Sequence, residues 1–222
     1  MTSSDQQPRR SADDFHFGTD VHSADGRLLG TLRFVIVEGE TFDARAIVVK
    51  EDRRFSAHYG AGAALMEDDI AVPLASVAEA GRERITLSIS AAEARRLPPY
   101  LTYQYAPVGK GDIARMLSDE VGQIGFAPDL VEQAHKRLDD LEIRAGENVM
   151  LGSTGKKLGT VRDVVMDGGE LAGIVIHPTG FFKEDVLLQV RFLGRSDDLA
   201  LFAHLTEADL AHLQPFHPPV TD

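Results

Sequence analysis

Cysteine is absent from the 222 residues, which excludes disulfides and thiolate chemistry. Tryptophan is absent too. No apolar run approaches the ~18 residues needed to cross a membrane as a helix. Basic residues are scarce: 23 Lys and Arg against 35 Asp and Glu, a formal net charge of −12. Basic runs are no longer than the pairs Arg9-Arg10, Arg53-Arg54, Arg95-Arg96 and Lys156-Lys157. Capture of nucleic acid or anionic lipid by the whole surface is therefore disfavoured, because both need an excess of cationic side chains. The plainer meaning of the acidity is solubility. The first fourteen residues lack an apolar stretch. Arg9-Arg10 resembles the start of a twin-arginine export signal, but Ser11-Ala12-Asp13-Asp14 follows where the hydrophobic run belongs. The expectation is a cytoplasmic protein with a disordered tail over 1–14 and no membrane span. Gly-x-Ser-x-Gly, His-Glu-x-x-His and dinucleotide fingerprints are missing as well.

Hydrophobic residues make up 43% of the chain, enough for a packed core. The organising stretch is a turn with two glycines leading into a strand, and it occurs twice. The first copy is Asp25-Gly26-Arg27-Leu28-Leu29-Gly30-Thr31-Leu32. The second is Thr154-Gly155-Lys156-Lys157-Leu158-Gly159-Thr160-Val161. A self-match at long period says two similar units in tandem. In the first unit, strands are expected at Phe15–Ser23, Leu28–Val37, Ala44–Val49, Ile70–Pro73 and Ile85–Ile89. Ser90 and Glu93 form a capping box for a helix that Pro98-Pro99 stops after Leu97. In the second unit, strands are expected at Ala145–Leu151, Leu158–Asp167, Leu171–His177, Asp185–Val190 and Leu199–Ala203. Thr206 and Asp209 open a helix running to Leu213. Between the units, Ile113–Val121 reads as a short helix. Pro128–Leu141 reads as another, with Leu130, Val131, Ala134, Leu138 and Leu141 along one face.

The two copies resemble the PRC-barrel domain, a small β-barrel found in the photosynthetic reaction-centre H subunit and in the ribosome maturation factor RimM. The likeness rests on Val21, Asp25-Gly26, Gly30-Thr31-Leu32, Ala46-Ile47-Val48-Val49 and Val72-Pro73-Leu74. In the second copy it rests on Val149, Gly155, Gly159-Thr160-Val161, Gly173-Ile174-Val175-Ile176 and Val186-Leu187-Leu188. The copies differ: Gln189 stands where the first has Pro73, Thr154 where it has Asp25, and the first carries the longer insert Glu51 to Asp68. The expected fold is mainly β with short helices, two PRC-like barrels over 15–100 and 144–216 joined by a helical connector over 101–143, with a tail over 217–222. The resemblance implies docking to protein complexes or ribonucleoproteins, with no family catalytic residues to carry over.

Each candidate site has a plainer competitor. His204, His212 and His217 lie near Asp209, but a metal needs ligands that converge, and isolated surface histidines are the better reading. His16 and His22 flank the first strand without acidic neighbours in sequence. Lys156-Lys157 precedes a strand rather than the helix a phosphate loop requires. Glu67-Asp68-Asp69 reads as a solvated loop rather than a cation site. Gly26, Gly30, Gly155 and Gly159 are structural turn glycines. Phe181 and Phe182 mark a candidate interaction surface. No catalytic residue, cofactor or metal is assigned. The expectation is a non-enzymatic docking module for an unidentified protein partner, with self-association open and nucleic acid not the main ligand. An RNA- or ribosome-assembly-associated factor is the alternative, and an enzyme or ligand binder with an inter-barrel pocket comes third.

Overall fold

A computed structural model describes residues 15–52, 69–81, 83–105, 130–167, 170–179, 184–194, 200–206, 209, 213 and 215–216. The first sheet contains β1 (Asp20–His22), β2 (Leu28–Glu38), β3 (Ala44–Glu51), β4 (Asp69–Pro73), β5 (Val77–Ala80) and β6 (Arg84–Leu87). Their order is β4-β3-β2-β1-β6-β5, with β1 and β6 parallel. Helix α1 (Ala91–Ala94) follows, then a hairpin of β7 (Leu101–Tyr105) and β8 (Leu130–Ala134). Strand β9 (Asp140–Arg144) pairs antiparallel with the C-terminal half of β2. The second sheet contains β10 (Asn148–Leu151), β11 (Lys157–Asp167), β12 (Glu170–Pro178), β13 (Val186–Gln189) and β14 (Ala200–Ala203), in the order β13-β12-β11-β10-β14. Among the described residues neither sheet closes into a barrel, because no pairing joins β4 to β5 or β13 to β14. The chain is mainly β, and no described helix is long and apolar enough to cross a membrane.

The two sheets share more than strand order. Val21 faces Gly30 and Val149 faces Gly159, and a register shift follows each valine. Strands β1 and β10 each pair in parallel with a later strand of their sheet, β6 and β14. A 3-10 turn follows β4 at Leu74–Ser76 and β13 at Val190–Phe192. Ile70 bridges to Pro99, and Val186 to Pro215. The Tyr100 N–H donates to Asp69 O at 2.6 Å, and the Phe216 N–H donates to Asp185 O at 2.6 Å. Both expected caps are present. The Ser90 N–H reaches Glu93 Oε2 at 2.8 Å, and the Thr206 N–H reaches Asp209 Oδ2 at 2.9 Å.

Inward-facing residues of both sheets form one continuous apolar cluster, from Phe15 and Val35 through Ile143 to Ile174 and Leu201. The alternation of β-strands, one face buried, places them there. Phe42 has φ 61, unusual for a bulky side chain, and its ring lies in this cluster.

Several expectations need correction. The Pro128–Leu141 helix is replaced by β8 and the start of β9. Short apolar runs fit either period, and here edge pairing with β2 and β7 overrides the helical pattern. Leu138, placed on the expected apolar helical face, is fully exposed at 108%. The first strand is shorter than Phe15–Ser23, because Phe17 and Gly18 form a turn. Helix α1 ends at Ala94, before Leu97. Strand β5 was not anticipated, since Val77-Ala78-Glu79-Ala80 is short and half exposed. The expected helix Ile113–Val121, the tails 1–14 and 217–222, and most of the helix after Thr206 lie outside the described residues.

Candidate functional site

The most developed polar constellation sits on the outward face of the first sheet. There β2 presents Phe34 and Ile36, β3 presents Val48 and β4 presents Ala71, forming a second apolar cluster. Tyr100, Leu101 and Ala134, at the base of the β7–β8 hairpin, cover them. The Phe34 and Tyr100 rings meet edge to face, with centroids 5.0 Å apart at 77°, an arrangement worth about 0.5–1.5 kcal/mol beyond area burial. The Arg144 guanidinium lies 4.3 Å from the centroid of the same Phe34 ring.

Around this apolar patch, charge is closely balanced. Glu142 is 8% exposed. It accepts from the Tyr100 hydroxyl and from Arg144, and Lys136 Nζ lies 3.0 Å from its Oε1. Next to it on the strand, Asp140 pairs with Arg45 at 3.1 Å. Asp69, 1% exposed, pairs with Arg33. A buried carboxylate is tolerable only with such partners. These contacts tie β9 and the hairpin base to the sheet, so the arrangement is suited to holding segments together.

The second sheet carries counterparts in more open form. Arg162, Asp185 and His177 stand where the first has Arg33, Asp69 and Lys50. His177 Nδ1 lies 2.8 Å from Asp185 Oδ1, and Arg162 lies 4.0 Å from Oδ2. The His177 and Arg162 side chains are 60% and 72% exposed. Val165 and Val175 are buried but belong to neither described apolar cluster. In place of Phe34 stands Asp163, whose carboxylate bonds His16 and accepts from the Phe17 N–H at 3.3 Å.

The singled-out glycines divide into two roles. Gly26 and Gly155 have φ 77 and 66, which glycine adopts without steric cost. Gly30 and Gly159 instead permit close approach, since a Cβ on either would overlap the backbone carbonyl of the paired strand, at Lys50 and His177. Asp69, read as part of a solvated loop, is instead the first residue of β4, buried against Arg33. His16 does have an acidic partner, Asp163, 147 residues away in sequence. His204 packs its ring against Gly152 and Gly194, where a Cβ on Gly152 would come within 2.8 Å. His212, His217, Phe181 and Phe182 lie outside the described residues. Lys156-Lys157 leads into β11, as the strand reading required. Among the described residues no group of three or more His, Asp or Glu is placed to hold a metal ion.

Sequence reasoning missed Glu142, Tyr100, Lys136 and Arg144. The usable signal was the alternation Asp140-Leu141-Glu142-Ile143-Arg144, a strand with one charged face. Three exposed carboxyls are held below their usual range by hydrogen bonding. For Asp25 the Ser23 hydroxyl leads and the Ala91 N–H adds. For Glu93 the Ser90 N–H and hydroxyl act, and for Glu38 the Thr41 N–H and hydroxyl. Asp25 thereby joins the repeated turn to the start of α1, through a 2.8 Å bond from the Ala91 N–H.

Among curated proteins none matches the chain. A family comparison does find a match within the second sheet: residues 145–198, spanning β10 to β13 and the turn after it, form a PRC-barrel domain.

Proposed function

We propose that the protein is a non-enzymatic docking module made of two PRC-barrel-like units in tandem, 15–100 and 144–216. The matched domain supports this for the second unit. The shared strand order, glycine placement and Pro bridges support it for the first. The observation that carries the binding role is the use made of Glu142. Its partners, Tyr100 and Lys136 at the hairpin base and Arg144 on β9, tie the hairpin to the strand that pairs with β2, an arrangement that builds a rigid platform. Rigid scaffolds that present surface elements suit partner recognition. The partner class is protein, since the net charge of −12 opposes phosphate contacts. The test is affinity capture from native lysate with and without nuclease, followed by reconstitution with the purified candidate. Saturable, nuclease-resistant binding supports the proposal. Capture that disappears with nuclease, or tight RNA binding with a steep salt slope, would promote the RNA-associated reading.

A further inference from the structure

Each sheet is entered through a lead that turns on its own sheet and begins on the other. The Gly18 N–H donates to Leu32 O at 2.8 Å, and the Gly146 N–H donates to Val161 O at 2.7 Å, so the two turns match. Both glycines have positive φ, 86 and 81. Just upstream, each lead crosses to the opposite sheet. Arg144, at the end of β9, faces Phe34 in the first sheet, and its guanidinium lies over that ring. His16, its counterpart, bonds Asp163 in the second sheet, at the position matching Phe34. The Phe17 N–H donates to the same carboxylate at 3.3 Å, while the Phe17 ring packs against the cluster on the outward face of the first sheet. Next outward, Ile143 and Phe15 are both buried. The exchange is reciprocal but unequal. Strand β9 grips the first sheet by a backbone ladder from Phe34 to Glu38. At Asp163 the second sheet is gripped by one ring and one N–H.

We propose that His16 and Asp163 form a latch through which the lead of the first sheet stabilises the second, and that its release loosens the second sheet while the first stays shut. Nε2 of the His16 ring is buried and, among the described residues, finds no partner, so Asp163 is the ring's polar anchor. The two side chains are 21% and 15% exposed. A hydrogen bond to a carboxylate so sheltered is stronger than one in open solvent, and breaking it leaves polar atoms unpaired away from water. Asp163 pairs with Val175 of β12, and the next residue, Val164, is buried in the core and pairs with Ile174. The latch therefore bears on the centre of the second sheet. It needs no partner protein and goes beyond the docking reading.

Hydrogen exchange of the intact chain, His16→Ala, Asp163→Ala and the double variant tests it, read at Ile174–Ile176 of β12 and Ile47–Val49 of β3. In His16→Ala the expected result is about tenfold faster exchange at β12 and less than about threefold at β3. His16→Ala added to Asp163→Ala should bring no further change at β12, because the partner is already gone. Equal acceleration of the two strands overturns the proposal, since a general loss of stability then accounts for it. Exchange at β12 unchanged by His16→Ala overturns it, as does an undiminished effect of His16→Ala in the Asp163→Ala background. If an alanine variant fails to fold, His16→Phe, which keeps a ring and removes its nitrogens, decides alone by the same comparison of β12 with β3.

Discussion

The first and second sheets begin from the same strand order and end with different surroundings. In the first, the outward face of β2 and β3 is roofed by Tyr100 and the hairpin base, and the β2 edge is filled by β9. In the second, Asp163 replaces the aromatic anchor Phe34, and the counterpart of buried Asp69 is Asp185, 31% exposed on its side chain. One layout of strands thus carries, among the described residues, either a buried charge pair or an exposed one. In the first sheet an aromatic, Phe34, and a hydrogen-bonded carboxylate, Glu142, fix the hairpin base as an additional layer.

The comparison breaks most severely at what the sheets share. Gly30→Val and Gly159→Val should each cost at least about 3 kcal/mol, because the new side chain meets backbone rather than a movable side chain. Circular-dichroism melts would show loss of the folded state, and a melt unchanged in either variant would make its glycine incidental. The next effect is specific to the first sheet. Glu142→Ala leaves Lys136 and the Tyr100 hydroxyl without their carboxylate. It should lower stability by about 2–4 kcal/mol, measured by urea denaturation. A loss under about 1 kcal/mol would show that the roof is not held by this group.

The matched pair Asp69→Ala and Asp185→Ala sharpens the contrast. The buried carboxylate should cost about 2–3 kcal/mol, whereas the exposed ion pairs of Asp185 are worth at most about 1 kcal/mol. Equal losses would mean that the two environments are energetically alike. The smallest effect is one of pH. Asp25 and Glu93 titrate below their ordinary values in the folded chain. Their contribution is present above the unfolded pKa values, about 4, and is lost as pH falls through the lower folded values. Asp25→Asn should therefore flatten the acid limb of a stability–pH profile. Thr154→Val at the matching turn should leave it unchanged.

Much of this layout was legible in the sequence. The repeated Gly-x-x-x-Gly-Thr stretch located β2 and β11 to within a residue or two, because glycine close approach and β-branched alternation are local signals. The Ser90–Glu93 and Thr206–Asp209 caps were legible for the same reason. What was not legible depended on pairing at long range. Asp140–Arg144 becomes a strand because β2 offers an edge more than 100 residues earlier, although Leu141 fits the helical spacing of Leu130 and Leu138. The acid that His16 meets is not visible near it in sequence, because Asp163 lies 147 residues along the chain. Acidic sequence neighbours read as a solvated loop, whereas the sheet turns Asp69 towards Arg33. The barrel closure implied by the family likeness is not formed by strand pairing among the described residues.

Among the described residues the hairpin base roofs the outward face of the first sheet, and the second carries its matching charges exposed. Residue-resolved hydrogen exchange on the intact chain tests this contrast most directly. Ile47–Val49 of β3 and Ile174–Ile176 of β12 occupy matching positions, facing Val35 and Val164 respectively through Ile47 and Ile174. With its outward face roofed, β3 should exchange at least about tenfold more slowly than β12. Equal protection in the two strands, or greater protection in β12, would contradict the account.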